Sequence, residues 1–327
     1  MNILLLGGNG FIGSSIVSEL LQVTGVKLTC ATRKINNFID ADERLDWVYL
    51  DVFSHENRMK IFIEEADIVI NCIGELEDTS TMEKTNFELV KHIVNILNEL
   101  KMPHKRLIQI SSVGCYGATT RFKGLSHIVT EHEIEKPVGL YEETKTKADD
   151  YIRSVLSKGN ESISYTILRP TNVFGISMKS QAILNIASMV KKGLFFYISD
   201  KSAVSTYVHV DDVAQSVRLV IENMSLSRNQ TYIISDDCDQ YKFIETLADL
   251  FTVKQPRLVV PLFFVMFGVF LGRKLSNSFP LTLSKVASLT SKVSFSNKKI
   301  QELGFKPLFS IYKKEVVNSI LKDWSLK

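Results

Sequence analysis

The chain has 327 residues, enough for one large domain or two moderate ones with a substantial core. Its formal net charge of +3, with Lys and Arg scattered, lacks the basic stripe of a nucleic-acid binder. Cys30, Cys72, Cys115 and Cys238 are widely spaced with no CxxC pair, which argues against a disulfide framework or a zinc site and predicts free thiols in a reducing compartment.

The apolar run Ile3 to Leu6 reads as a buried strand beginning almost at the first residue, which leaves no room for a leader and predicts a cytoplasmic protein. GGNGFIG, Gly7 to Gly13, follows it directly and opens an amphipathic helix, Phe11 to Leu21. Gly7, Gly10 and Gly13 remove Cβ atoms where a backbone must approach a pyrophosphate, and the helix N-terminus then offers N–H groups and a positive dipole end to the anion. A second strand, Lys27 to Ala31, leads to Thr32, Arg33 and Lys34. NAD binders place a carboxylate there to bond the ribose 2′-hydroxyl; a basic residue instead suits a 2′-phosphate, so NADP is expected, with NAD as the alternative.

Strands then alternate with helical patterns: Trp47 to Leu50, Ile68 to Asn71, a helix Glu83 to Leu100, Leu107 to Ser111, a helix Tyr141 to Ser157, and Ser164 to Leu168. This alternation predicts βαβ units in a parallel sheet, and the continuous apolar strands predict a sheet covered on both faces. Ser111 and Ser112 fall at the carboxyl edge, where open α/β sheets hold their ligands. Tyr141 and Lys145, four apart, share one face of their helix. A phenol titrates near 10, so a proton-transferring tyrosine needs a neighbouring ammonium to bring it down.

After Val173 the pattern loosens into helices at Ala182 to Lys191 and Asp212 to Asn223 and short strands near Thr206 and Thr231. The expected organisation is a Rossmann domain over 1–172, rejoined at about 205–235, with a smaller substrate-binding unit made from 173–204 and 236–327. Leu258 to Leu271, LVVPLFFVMFGVFL, is almost wholly apolar yet shorter than a spanning helix. It is expected to be a buried helix or a lid over a substrate cleft, with shallow membrane association as the alternative.

These motifs, in this order, resemble the extended short-chain dehydrogenase/reductase family of nucleotide-sugar epimerases, dehydratases and ketoreductases. The likeness runs from Met1 to about Ala214 and more faintly to Pro307. It adds LDV with Asp51, NCIG over Asn71 to Gly74, Asn86 in TNFELV, SSVGCYG with Ser112 five residues before Gly117, LRPTNVFG over Leu168 to Gly175, and YVHVDDVA over Tyr207 to Ala214 with a structural His209. The resemblance implies a catalytic Ser112, Tyr141 and Lys145. It implies cofactor contacts from Gly7, Gly10, Phe11, Ile12, Gly13, Thr32, Arg33, Asp51, Val52, Cys72, Ile73, Gly74, Tyr141, Lys145 and Pro170. Ser112 and Asn172 would face the substrate, no metal is required, and a homodimer is implied. Val113 and Gly114 stand where the 4,6-dehydratase branch has an Asp-Glu pair, which disfavours dehydration. The expected activity is keto reduction or epimerisation of a (deoxy)sugar on a nucleotide, with hydride transfer and Tyr141 as acid/base. Two alternatives stay open: a reductase of a lipophilic ketone or alcohol, suggested by the apolar segment, and a non-catalytic NADP sensor.

Overall fold

Seven strands form one parallel sheet: β1 (Asn2–Leu6), β2 (Lys27–Thr32), β3 (Leu45–Tyr49), β4 (Ile68–Asn71), β5 (Lys105–Ile110), β6 (Ile163–Pro170) and β7 (Gln230–Ile234), in the order β7-β6-β5-β4-β1-β2-β3. The computed structural model describes residues 1–33, 42–100, 105–157, 163–178, 180–275 and 281–325. Successive side chains of a strand point to opposite faces, and the core divides accordingly. Ile3, Leu5, Ile70 and Ile108 pack on one side, and Leu4, Leu6, Val69 and Leu107 on the other. All eight are buried, which is why these strands are largely apolar, with buried polar residues such as Asn71 and Gln109 bonded to each other at 3.0 Å.

Five helices cover the sheet: α1 (Phe11–Leu20), α2 (Glu56–Glu65), α3 (Leu89–Leu100), α4 (Leu140–Leu156) and α5 (Val210–Glu222). α1 and α5 lie together on the Ile3 side, where Arg218 donates to Glu19 at 2.6 Å. α2, α3 and α4 cover the Leu4 side. The order of strands reverses beside β1, which pairs with β2 on one flank and β4 on the other. A crevice therefore opens beyond the carboxyl ends of β1 and β4, the place where such sheets bind ligands.

β7 confirms the strand expected near Thr231, and it brings the chain back to the sheet beside β6. A separate apolar cluster joins Phe174 of the strand Asn172–Phe174 to Ile183, Val190, Phe243, Leu247, Val317 and Ile320 of the helices Ala182–Lys191, Gln240–Leu250 and Lys314–Ser325.

The apolar segment is not the buried helix that was one of its expected forms. Residues 258–271 form a two-residue strand, Val259–Val260, and most of a helix, Leu262–Leu275, that is not buried. Val265 and Val269 pack against Ile198 and Val286, whereas Phe263, Phe264, Phe267 and Phe270 are 74, 63, 55 and 57% exposed. The reason is geometric. Residues four apart give this helix one contact stripe, and the small cluster beneath it cannot wrap the remaining faces. Among the described residues no helix is long and apolar enough to cross a membrane.

Candidate active site

The turn after β1 depends on glycine at two places. Gly7 has φ +86°, a conformation that side chains rarely adopt. A Cβ on Gly13 would lie 2.1 Å from the Gly7 carbonyl oxygen and 2.9 Å from Gly8 Cα, so the first turn of α1 rests directly on the strand's exit. The Gly10 N–H donates to Gly7 O at 3.0 Å and the Ser14 N–H to Gly10 O at 2.9 Å, which starts the helix at once. No side chain caps it and no acidic residue occupies its first turn, leaving its N–H groups to an anion. The close backbone approach and the uncapped helix fit a dinucleotide pyrophosphate.

From this turn a cavity of about 670 Å³ runs across the ends of β2, β3 and β4. Nine expected cofactor residues line it: Gly7, Gly10, Thr32, Arg33, Asp51, Val52, Cys72, Ile73 and Gly74. Lys34 lies outside the described residues. Asp51 accepts from the Phe53 N–H at 3.1 Å and the Ser54 hydroxyl at 2.9 Å, and these bonds hold its carboxyl below the usual range.

Phe11, Ile12, Gly13 and Pro170 are not in the cavity wall. Ile12 packs on the sheet core and Phe11 on the separate cluster around Phe174 and Phe243. Gly13 serves the turn by its closeness to Gly7. Pro170 ends β6, buried opposite Ile234. Conversely, motif reading missed Asn9, Phe53, Ser54, Glu75, Asp78 and Lys84, all in the wall. For all but Lys84, which opens the helical turn Lys84–Glu88, the only signal is a place in the segment that follows a strand. Asn86 supports that wall, accepting from the Glu75 N–H at 2.8 Å and donating to Glu75 O at 2.9 Å and Thr144 Oγ1 at 3.2 Å. It does so from a one-turn π-helix, Lys84–Glu88, that the sequence reads as ordinary helix.

Ser112 caps the short turn Val113–Tyr116, its Oγ accepting from the Gly114 N–H at 3.0 Å. The Ser112 hydroxyl lies near the Tyr141 phenol at the start of α4. Burial pushes that phenol up to about 12, against which the neighbouring Ser112 hydroxyl works. One helical turn on, Lys145 donates to the Ile110 carbonyl at 3.2 Å, and its Nζ would lie 3.0 Å from a Cβ built on Gly74. Its ammonium thus stands against the cavity wall, lowered by burial and supported by Asp149.

The three expected catalytic residues therefore lie near one another. Ser112 works against the rise of the Tyr141 phenol, and the field of Lys145 reaches the half-buried Cys72 thiol, whose desolvation still pushes it up to about 12.

Ser111, the neighbour of Ser112, has another task. Its hydroxyl donates to Asp149 Oδ2 at 2.8 Å, and the same oxygen accepts from Arg169 Nε at 3.0 Å and Nη2 at 2.8 Å. Arg169 also bonds Glu135 and Tyr116. This buried network, which the sequence reading did not anticipate, ties α4 to β6 under the site. Asn172 lies on the strand Asn172–Phe174 and donates from Nδ2 to Thr206 O at 2.8 Å and Oγ1 at 3.2 Å. Its side chain is thus tied to its neighbouring segment. His209 caps α5, its Nδ1 accepting from the Asp211 N–H at 3.2 Å, a structural role as expected.

Residues 3–235 match the family described as "NAD dependent epimerase/dehydratase family". The chain is 24% identical over 247 residues to the ADP-L-glycero-D-manno-heptose-6-epimerase of Brachyspira hyodysenteriae, covering 69% of this chain and 73% of that protein. It is 19% identical over 318 residues to the N-acetyl-alpha-D-glucosaminyl-diphospho-ditrans,octacis-undecaprenol 4-epimerase of Escherichia coli O157:H7, covering 93% of this chain and 90% of that protein. Among solved structures, UDP-glucuronic acid 4-epimerase from Bacillus cereus, in complex with UDP-glucuronic acid and NAD, superposes with a TM-score of 0.73 over the full length of both chains at 15% identity. That likeness concerns the fold.

Proposed function

The chain belongs to the NAD-dependent epimerase/dehydratase family, and from that premise we propose that it epimerises or reduces a sugar carried on a nucleotide diphosphate, with Ser112, Tyr141 and Lys145 as its working residues. The observation that carries the reading is the neighbouring pair Ser112 and Tyr141 at the sheet edge, with Lys145 standing against the wall of the cavity built on the glycine turn. A bound nicotinamide dinucleotide supplies the hydride donor and acceptor. Gly7, Gly10 and the α1 N-terminus would hold its pyrophosphate, Asp51 and Val52 its adenosine end, and Lys145 its hydroxyls beside Gly74. Ser112 would hold the substrate oxygen, and Tyr141 Oη would take or return the proton of that oxygen. Because burial raises the phenol, the protonated tyrosine is its resting form, suited to acting first as a donor.

For the cofactor we propose NADP, on the exposed Arg33 at the cavity end of β2, where a 2′-phosphate would find a charge-assisted partner. Residues 173–204 and 236–327 are taken as the substrate-binding unit, and a homodimer is part of the proposal. The buried free thiols Cys30, Cys115 and Cys238 go with a reducing compartment, the cytoplasm.

The test is incubation of the purified protein with UDP-, ADP- and dTDP-linked hexoses and their 4-keto derivatives, with NAD(H) or NADP(H), read by NMR of the sugar. A new epimer or a reduced sugar supports the reading; a protein that binds dinucleotide yet transforms no member of the panel opposes it. One observation favours a second substrate class. The exposed phenylalanines of Leu262–Leu275 suit a sugar diphosphate carried on a polyprenol, like the substrate in the name of the Escherichia coli relative. Adding such a lipid-linked sugar in detergent to the panel decides between them.

A further inference from the structure

The helix Leu262–Leu275 has no polar face in its first ten residues. Val265 and Val269 turn inward, and Phe263, Phe267 and Phe270, at i, i+4 and i+7, stand together on an outward stripe, with Phe264 and Leu271 beside them. Leu258 and Val259 before the helix, and Leu283 after it, extend the exposed apolar surface. A patch of this kind marks an interaction site, because ordinary surfaces scatter their large apolar residues. Charge says what covers it. From Leu250 to Gln301 the sequence has no Asp or Glu and eight Lys or Arg, whereas the rest of the chain carries a net −5. Lys254 and Arg257, exposed, directly precede the apolar strand and helix, and Arg273 and Lys274 follow in sequence. An apolar aromatic stripe flanked at both ends by cations, on an otherwise acidic protein, complements a surface that is apolar within and anionic at its rim. At 14 residues the helix is about 21 Å long, too short to cross a bilayer of about 30 Å.

We infer that the face formed by Leu258 and the helix Leu262–Leu275 lies in the interface of an anionic phospholipid membrane, phenylalanines among the acyl chains and Lys254 and Arg257 at the headgroups. The helix shares its cluster with Val286 of the helix Leu283–Leu289, which packs beside Ala118–Arg121 just after the Ser112 turn. Membrane attachment at this face therefore holds the substrate side of the molecule close to the lipid surface.

The test needs no catalysis and so stands apart from the proposed reaction. The full-length protein is sedimented with vesicles of phosphatidylglycerol and phosphatidylcholine, and with phosphatidylcholine alone. Partition onto the anionic vesicles should be at least about tenfold higher, and should weaken as salt approaches about 1 M, where screening acts within about 3 Å. Joint replacement Phe263→Ser, Phe267→Ser and Phe270→Ser should lower partition at least about tenfold, while thermal midpoint and dinucleotide binding stay as in the unaltered protein. Lys254→Gln with Arg257→Gln should reduce only the preference for anionic lipid. Absence of vesicle binding, or equal binding by the triple-serine variant, overturns the inference. So does a lipid-free dimer in light scattering that the serine replacements split, since the face would then belong to a second copy of the chain.

Discussion

Gly13→Ala probes the nucleotide turn most sharply. The added methyl carbon would sit 2.1 Å from the Gly7 carbonyl oxygen, about 1.3 Å short of the 3.4 Å at which ordinary contact begins, and 2.9 Å from both Gly7 C and Gly8 Cα. All three neighbours are backbone, so no side chain can swing aside; α1 must lift or the turn must open. Overpacking of this kind costs about 1–3 kcal/mol. If the displacement falls on the turn that faces the pyrophosphate, about 10- to 100-fold of dinucleotide affinity goes with it, at roughly 1.4 kcal/mol per factor of ten. Fluorescence titration with NADPH and NADH measures the affinity, and a thermal melt measures the fold. Gly25→Ala is the control, since its Cβ meets nothing within 4 Å and only its φ of +75° is strained. It should lose about 1–2 kcal/mol of stability and leave binding untouched. Unchanged binding by Gly13→Ala would refute the placing of the pyrophosphate at this turn.

Adjacent serines should separate cleanly. Ser111→Ala removes a donor from the buried Asp149 carboxylate and should cost about 1–3 kcal/mol of stability with turnover kept, whereas Ser112→Ala should lower kcat about 100-fold with the melting temperature nearly unchanged. Arg33→Ala should weaken NADPH about tenfold and NADH by less than about twofold, read by the same titration; equal losses for both would favour NAD as the working cofactor. Asp237, half-buried with its Oδ1 enclosed and lacking a partner, is raised to about 7, and Asp212 to about 6. The folded chain therefore holds protons that the unfolded chain releases from pH 3.8 upward. Their contribution is full below that pH and is lost as pH rises to about 7, by at most about 1.4 kcal/mol per unit for each group. Denaturant melts of Asp237→Asn should show a shallower fall between about pH 4 and 7; the same slope in both proteins would remove Asp237 as its source.

The sheet was legible because burial on both faces makes β1 and β4 apolar runs and gives β5 and β6 apolar centres, at Leu107 and Ile108 and at Ile167 and Leu168, and the glycine turn because close backbone contact admits no other residue there. Ser112, Tyr141 and Lys145 were legible as types at strand-end and helical spacing. Less was legible where meaning depends on distant partners. Asp149 reads as one more acid on a charged helix, and only the approach of Arg169 and Ser111 from two strands makes it a buried hub. The cavity residues Phe53, Ser54, Glu75 and Asp78 belong to turns without periodicity. For Leu258 to Leu271 composition leaves a buried helix, a lid and shallow membrane association open, because it states the preference of a surface for apolar surroundings but not whether the rest of the chain provides them. Spacing puts Tyr141 and Lys145 on one helix face, but it does not show that the long lysine side chain reaches the Ile110 carbonyl and the neighbourhood of Gly74.

The central claim is that the phenol of Tyr141 moves the proton at the sugar oxygen that Ser112 holds. Turnover of a nucleotide-sugar substrate by Tyr141→Phe tests it most directly, since the ring and its packing stay and only the hydroxyl goes. The account predicts kcat lower by about 10²–10⁴-fold with dinucleotide affinity within about twofold of the unaltered protein. Turnover within a few-fold of the unaltered protein would contradict it.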